Sequence, residues 1–172
     1  MKLISELMKN SRRSDRELAR TLRVSQPTVT RIRTRLEKEG IVKEYTMIPD
    51  FAKLGFGIAS IDFARLRGPV PEEKLMEIRE QVRQTSKKKP LPTIAGMSGM
   101  GCNADRVVVA FHENYSTYCE YLETLKQHPL VIVDQINSFL IDLTDRSQYL
   151  PLTLSSLADY IAYKKRQKEG KS

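Results

Sequence analysis

Two helix-start signals lie eleven residues apart in this chain, at Ser14 and Ser25, and that spacing leaves the backbone few options. "SDRE" (14–17) sets a Ser three residues ahead of a Glu, so each side chain can take a free backbone N–H of the other, a capping box. Leu18, Ala19 and Leu22 then face inward. "RVS" (23–25) is a tight break. Ser25 can cap the next helix, with Pro27 in its first turn, where a missing N–H is harmless. Gly40 stops that helix after "RLEKE". Ahead of both, Leu3, Ile4, Leu7 and Met8 form the stripe of a first short helix. "IVKEYTMI" (41–48) alternates apolar and polar residues, the pattern of a small β-hairpin or wing. Two helices joined by a short break, the second presenting its N-terminal half, make a helix-turn-helix.

On a helical wheel of residues 25–39, Val29, Ile32 and Leu36 make a thin inward line. Pro27, Thr30, Arg31, Thr34 and Lys38 lie opposite, with Gln26, Thr28, Arg33 and Arg35 on the flanks. The outward face holds hydroxyls and guanidinium groups, and no acid before Glu37. Guanidinium suits guanine edges or phosphate, Gln suits adenine, and a Thr methyl can meet the thymine methyl. The open N–H groups at Ser25–Thr28 suit a phosphate. The candidate DNA contacts are Ser14, Ser25, Gln26, Pro27, Thr28, Thr30, Arg31, Arg33, Thr34 and Arg35. Thr30, Arg31 and Thr34 are expected to read bases. The others hold the backbone or the groove edge. The competing reading is a solvated helix with ordinary charge pairing, which the late arrival of acid disfavours.

Charge points the same way. Residues 1–50 hold 12 Lys+Arg against 7 Asp+Glu, and residues 51–172 hold 17 against 14. The net of +5 in the shorter segment suits a polyanion partner, since fixed cations release counterions from nucleic acid. The N-terminal "MKLISELMKNSRRSD" has no signal-peptide run, and no stretch approaches the roughly 20 apolar residues of a membrane span. The expected location is cytoplasmic, without membrane attachment. Cys102 and Cys119 are too few for a disulfide framework.

"PDFAKLGFG" (49–57) is the connector between a winged helix-turn-helix over 1–48 and a second domain over 58–143. There "IASIDFARL" (58–66) reads as a strand and "PEEKLMEIREQVRQT" (71–85) as a helix with Leu75, Ile78 and Val82 on one face. "LPTIAGM" and "RVVVAF" read as strands around a Gly-rich loop, 98–105. "NYSTYCEYLETLKQH" reads as a helix with Tyr115, Tyr118, Leu122 and Leu125 inward, and "LVIVDQINSFLIDL" as a long last strand. The order β-α-β-β-α-β is the ferredoxin-like split arrangement, an antiparallel sheet with both helices on one face. The fold class is thus α+β. Residues 144–172 form an extension with a helix opening near Thr153 and a basic tail.

Other chemistry is sparse. "GMSGMG" lacks the Lys-Ser/Thr of a P-loop and no helix follows it. The stretch reads either as a plain mobile hairpin turn or as an effector loop at a subunit interface, where Ser98, Gly99, Gly101 and Asp105 are the candidate contacts, backbone N–H groups meeting a carboxylate and Asp105 an ammonium. Cys102, His112, Cys119 and His128 match no usual zinc spacing, so no metal, cofactor or catalytic residue is expected. "KKKP" (87–90) is expected as a solvated turn.

Residues 12–57 resemble the DNA-binding half of the Lrp/AsnC (feast/famine) transcription regulators, through "ELA" before the turn, "VS…TV" into the recognition helix, "RLEKEGIV" and "KLGFG". The β-α-β-β-α-β remainder is similar to that family's RAM domain. The resemblance implies a homodimer pairing through RAM sheets, assembly into higher oligomers, and an amino acid or other small molecule bound at RAM interfaces. The family's Gly-Asp-x-Asp turn is replaced here by the longer "SGMGCNAD", and 145–172 has no counterpart in it. The expected function is a sequence-specific DNA-binding transcription regulator. The alternatives are an enzyme of the haem-pathway decarboxylase type, built on a related architecture, and a low-specificity architectural DNA-binding protein.

Overall fold

The computed structural model describes residues 2–68, 90–127, 133–147 and 152–169, with positions 73, 74, 76–78, 80 and 84 between them. The chain divides into two units. One comprises Met1–Pro49 with Gln148–Ser172, the other Asp50–Ser147.

The first unit is helical. α1 (Lys2–Lys9), α2 (Asp15–Leu22) and α3 (Gln26–Lys38) surround a core of Leu3, Leu7, Leu18, Ala19, Val29 and Leu36. Leu18 and Val29 have no exposed surface. The capping box forms in both directions between Ser14 and Glu17. Hydrogen bonds from the Ser14 side chain and backbone hold the Glu17 carboxyl below its ordinary pKa. Arg23 ends α2 in the left-handed region, φ 56°, donating its N–H to the carbonyls of Ala19 and Arg20. Ser25 caps α3 through the Thr28 N–H, and Gly40 follows at φ 67°. The chain's last helix, α5 (Ser155–Glu169), packs on α1, with Ala158 fully buried and Asp159 paired to Lys9 at 2.6 Å. The C-terminal extension therefore completes the helical unit.

The expected hairpin over 41–48 is not one. Residues 43–50 carry no regular secondary structure. Alternation alone makes no ladder without a partner strand. The segment is held by side chains instead: Ser11 Oγ donates to the Thr46 carbonyl (3.3 Å) and the Tyr45 hydroxyl to Glu37 (2.7 Å). Ile41, Met47 and Ile48 remain exposed.

The second unit is built on a four-stranded antiparallel sheet of order β2-β3-β1-β4. Its strands are β1 (Ile58–Leu66), β2 (Thr93–Gly101), β3 (Ala104–His112) and β4 (Val133–Asp142). This is the ferredoxin-like order. α4 (Tyr115–Lys126) connects β3 to β4, and the described positions among 73–84 are helical. Of the face expected for that helix, Leu75 and Val82 lie outside the described residues, as do 87–89 and His128. The last strand begins, among the described residues, at Val133.

Two readings of this unit change. The Gly-rich stretch is strand: β2 runs through Gly101, Ser98 pairs with Arg106, and Gly101 pairs with Ala104. The connection shrinks to Cys102 and Asn103, both at positive φ (51° and 57°), the twist that two-residue hairpins require. Pairing with the Val-rich β3 outweighs the poor strand propensity of Gly and Ser. On α4 the buried tyrosines are Tyr118 and Tyr121, while Tyr115, in the first turn, is exposed. Gly57, before β1, is required sterically. A Cβ there would come within 2.8 Å of the Glu113 carbonyl, which accepts the Gly57 N–H.

Under α4 the sheet buries polar residues: Ser60, Asp62 and His112 are at most 1% exposed. Burial holds the His112 imidazole below its ordinary pKa of 6.5, with the Asp62 charge opposing. A histidine in the unfolded chain therefore takes a proton that folded His112 refuses. The second unit is expected to be most stable above pH 6.5 and to weaken as pH falls from there toward the depressed folded value. Urea melts at pH 7.5 and 5.5 measure this, and His112→Gln is expected to flatten the difference.

Candidate nucleic-acid interface

The outward face of α3 is assembled from a cap, a proline turn and a thin apolar spine. Because Val29 and Leu36 are the buried positions and Ile32 is half-buried, the helix is seated by one edge. Gln26, Pro27, Thr30, Arg31, Thr34 and Arg35 are exposed, and Thr28 and Arg33 half-buried. Among the described residues, neither Arg31 nor Thr34 makes a side-chain hydrogen bond or ion pair within the chain. Arg35 makes only a long contact to Glu39, 3.7 Å, with both side chains more than half exposed.

The other candidates are engaged. Asp15, in the first turn of α2, accepts from Thr30 Oγ1 at 2.6 Å and pairs with Arg33 Nη2 at 2.8 Å. Arg33 also donates to the Arg13 carbonyl (3.2 Å), and its guanidinium lies 5.7 Å from the Tyr45 ring centre. The Arg33 and Asp15 side chains are 19% and 20% exposed, so solvent screens this pair less than an ordinary surface one. Asp15 thereby fixes α3 against α2, and Arg33 ties both to the segment after α3. Ser14 spends its hydroxyl on the Glu17 N–H (3.2 Å) and carboxylate (2.8 Å). Ser25 Oγ accepts the Thr28 N–H at 3.3 Å and lies 2.8 Å from Thr28 Oγ1.

Asp15, Arg13 and Tyr45 were not visible as site residues in the sequence. Each meets Arg33 across a helix boundary, and no local spacing marks such a contact. Tyr45 is a neutral phenol, its pKa raised by burial and by the Glu37 carboxylate. Beyond α3, Arg16, Arg20 and Arg23 are exposed on and just after α2.

The four effector candidates are scattered along one hairpin. Ser98, Gly99 and Gly101 are exposed on β2. Asp105, on β3, accepts the Leu66 N–H at 3.4 Å and lies 3.6 Å from Arg106. Its Oδ2 is thus engaged, while Oδ1 has no hydrogen-bond partner among the described residues.

Residues 1–43 match the family described as winged helix-turn-helix DNA-binding. A stretch of 61 residues is 44% identical to the HTH-type transcriptional regulator LrpC of Bacillus subtilis, covering 36% of this chain and 42% of that protein. Another of 69 residues is 38% identical to an uncharacterized HTH-type transcriptional regulator of Pyrococcus abyssi, covering 40% and 46%. The chain thus spans less than half the length of these relatives. In three dimensions the B. subtilis LrpC structure superposes with a TM-score of 0.64 at 24% identity, over 86% of this chain and 94% of that one. A transcriptional regulator of Neisseria meningitidis solved as an L-Met complex gives 0.67 at 20%, over 91% and 95%. At these identities the structures speak to fold. Residues 1–43 thus match a winged helix-turn-helix DNA-binding family, and the chain has the fold of the Lrp/AsnC proteins.

Proposed function

We propose that this chain is a sequence-specific DNA-binding transcription regulator that places α3 in the major groove. The observation that carries it is the outward row of α3, where Gln26, Arg31, Thr34 and Arg35 stand exposed and no acid precedes Glu37. Arg31 and Thr34 read base edges, joined by Gln26 and by the methyl groups of Thr30 and Pro27's ring. Ser25 and Thr28, at the helix N-terminus, face a phosphate, and Arg35 takes the groove edge. Arg33 and Ser14 act one step back, holding α3 and α2 in the orientation that the groove requires. Affinity for duplex DNA is expected to fall steeply and linearly with salt on logarithmic axes, as phosphate contacts demand. A flat salt response would remove α3 from the phosphate backbone.

The regulator acts as a homodimer or higher oligomer. On the sheet face opposite α4, Met97 and Phe139 are exposed beside half-buried Ile61, Phe63, Val107 and Val109. An apolar sheet face of that extent invites a second copy. Sedimentation is expected to find an oligomer for the wild type and a monomer for Phe139→Lys, with unchanged secondary structure. Small-molecule control through the second unit is supported by the L-Met complex of the N. meningitidis regulator, which shares the fold.

A further inference from the structure

The fold gathers both ends of the chain into one unit, and all of the net positive charge goes with them. The helical unit comprises Met1–Pro49 and Gln148–Ser172. Residues 1–49 hold 12 Lys+Arg against 6 Asp+Glu, residues 148–172 hold 5 against 2, and residues 50–147 hold 12 against 13. By side-chain charge the helical unit is therefore +9 and the sheet unit −1. The C-terminal extension supplies +3 of that +9.

Within the extension the cations are crowded. Lys164, Lys165, Arg166, Lys168 and Lys171 fall within residues 164–171, with Glu169 the single acid among them. The first half of α5 is the part that seats the helix: Ala158 is fully buried, Ile161 and Ala162 are half-buried, and Asp159 pairs with Lys9 at 2.6 Å. Lys164 is exposed, its Nζ 5.6 Å from the Tyr160 ring centre. A cation or two at a helix C-terminus interacts favourably with the helix dipole. This run exceeds that need. On the helix Lys164 and Lys168 stand at i, i+4 and Lys165 and Lys168 at i, i+3, spacings at which like charges repel. A polyanion bound there offsets the repulsion. Leu157, Tyr160 and Tyr163 are exposed on the same helix, so an anionic membrane is the competing partner. Duplex DNA is favoured because the run belongs to the unit that carries α3.

We propose that the last turns of α5 form a second DNA-contact surface, in which Lys165, Arg166 and Lys168 meet backbone phosphates without reading bases. This contact requires that the helical unit bind DNA, but not that α3 read sequence. Each phosphate so neutralised raises affinity for every duplex alike and steepens the fall of log K with log salt by about 0.9.

Two triple variants of the full chain, matched in charge lost, test it. One combines Lys165→Gln, Arg166→Gln and Lys168→Gln, with Lys164 kept. The other combines Lys87→Gln, Lys88→Gln and Lys89→Gln, all in the sheet unit. Kd values for a random duplex and for a preferred one are measured across a salt series. The α5 variant is expected to have a salt slope shallower by about 2 and to bind both duplexes on the order of a hundredfold more weakly at about 0.1 M salt. Its melting temperature and its preference between the two duplexes are expected to be unchanged. The slope of the sheet-unit variant is expected to move by less than about 0.5. An α5 variant with the slope and Kd of the wild type overturns the contact, and so do equal losses in the two variants. A wild type that binds no duplex removes it together with DNA binding itself. Binding to phosphatidylglycerol vesicles that is lost in the α5 variant, while duplex affinity is kept, overturns it in favour of a membrane.

Discussion

Leu18→Ala is expected to lower the stability of the helical unit by about 2–5 kcal/mol. Leu18 is fully buried and sits in α2 amid Leu3, Leu7, Val29 and Leu36, so its loss opens a void touched by all three helices. A unit of this size has only a few kcal/mol to lose, and each one shifts its melting point by roughly 4–8 °C. The melting point is thus expected to drop by more than about 10 °C. DNA binding should disappear on warming well before the wild type loses it. The sheet unit has its own core, with Ala110, Tyr118 and Tyr121 buried, and its strand signal by circular dichroism should persist. A shift worth less than about 1 kcal/mol would mean the helices do not depend on this core.

Arg31→Ala is expected to cost about 1–3 kcal/mol of binding to the preferred DNA site, roughly 5- to 150-fold in Kd. Its guanidinium is exposed and makes no hydrogen bond, ion pair or ring contact within the chain among the described residues, so no specific interaction is lost with it. Melting should be unaffected. Arg33→Ala is the contrast. It removes the partner of Asp15 and should weaken binding to all duplexes alike while lowering stability. The same residue type, two positions along one helix, thus separates reading from positioning.

The helical unit was legible because its signals are local. Ser14 with Glu17, Ser25 with Pro27, and Gly40 each act within a few residues, and each ends up where that chemistry puts it. Strand β1 was equally clear, spanning the stretch 58–66. What the sequence concealed depends on distant partners. The run from Ser98 to Gly101 looks like a loop by composition, and only pairing with β3 makes it strand. "IVKEYTMI" has strand periodicity but, among the described residues, no strand to join. The destination of α5 on α1 joins the two ends of the chain. The exposure of Arg31 and Thr34 on α3 followed from the helical wheel alone. The engagement of Thr30 and Arg33 by Asp15 did not, because it crosses from one helix to the next. The Ser60–Asp62–His112 cluster was equally hidden. Alternation places Ser60 and Asp62 on one face of β1, but His112 lies 52 residues beyond Ser60.

Base reading by α3 is open to a direct test. The direct measurement is selection of duplexes from a randomised pool by the wild type and by Arg31→Ala, followed by Kd values for enriched and random DNA at one salt concentration. A single enriched motif is expected, bound on the order of a thousandfold or more tighter than random duplex, with the preference relaxed at one base position in the variant. No enrichment, or the same motif and affinity in both proteins, would contradict it.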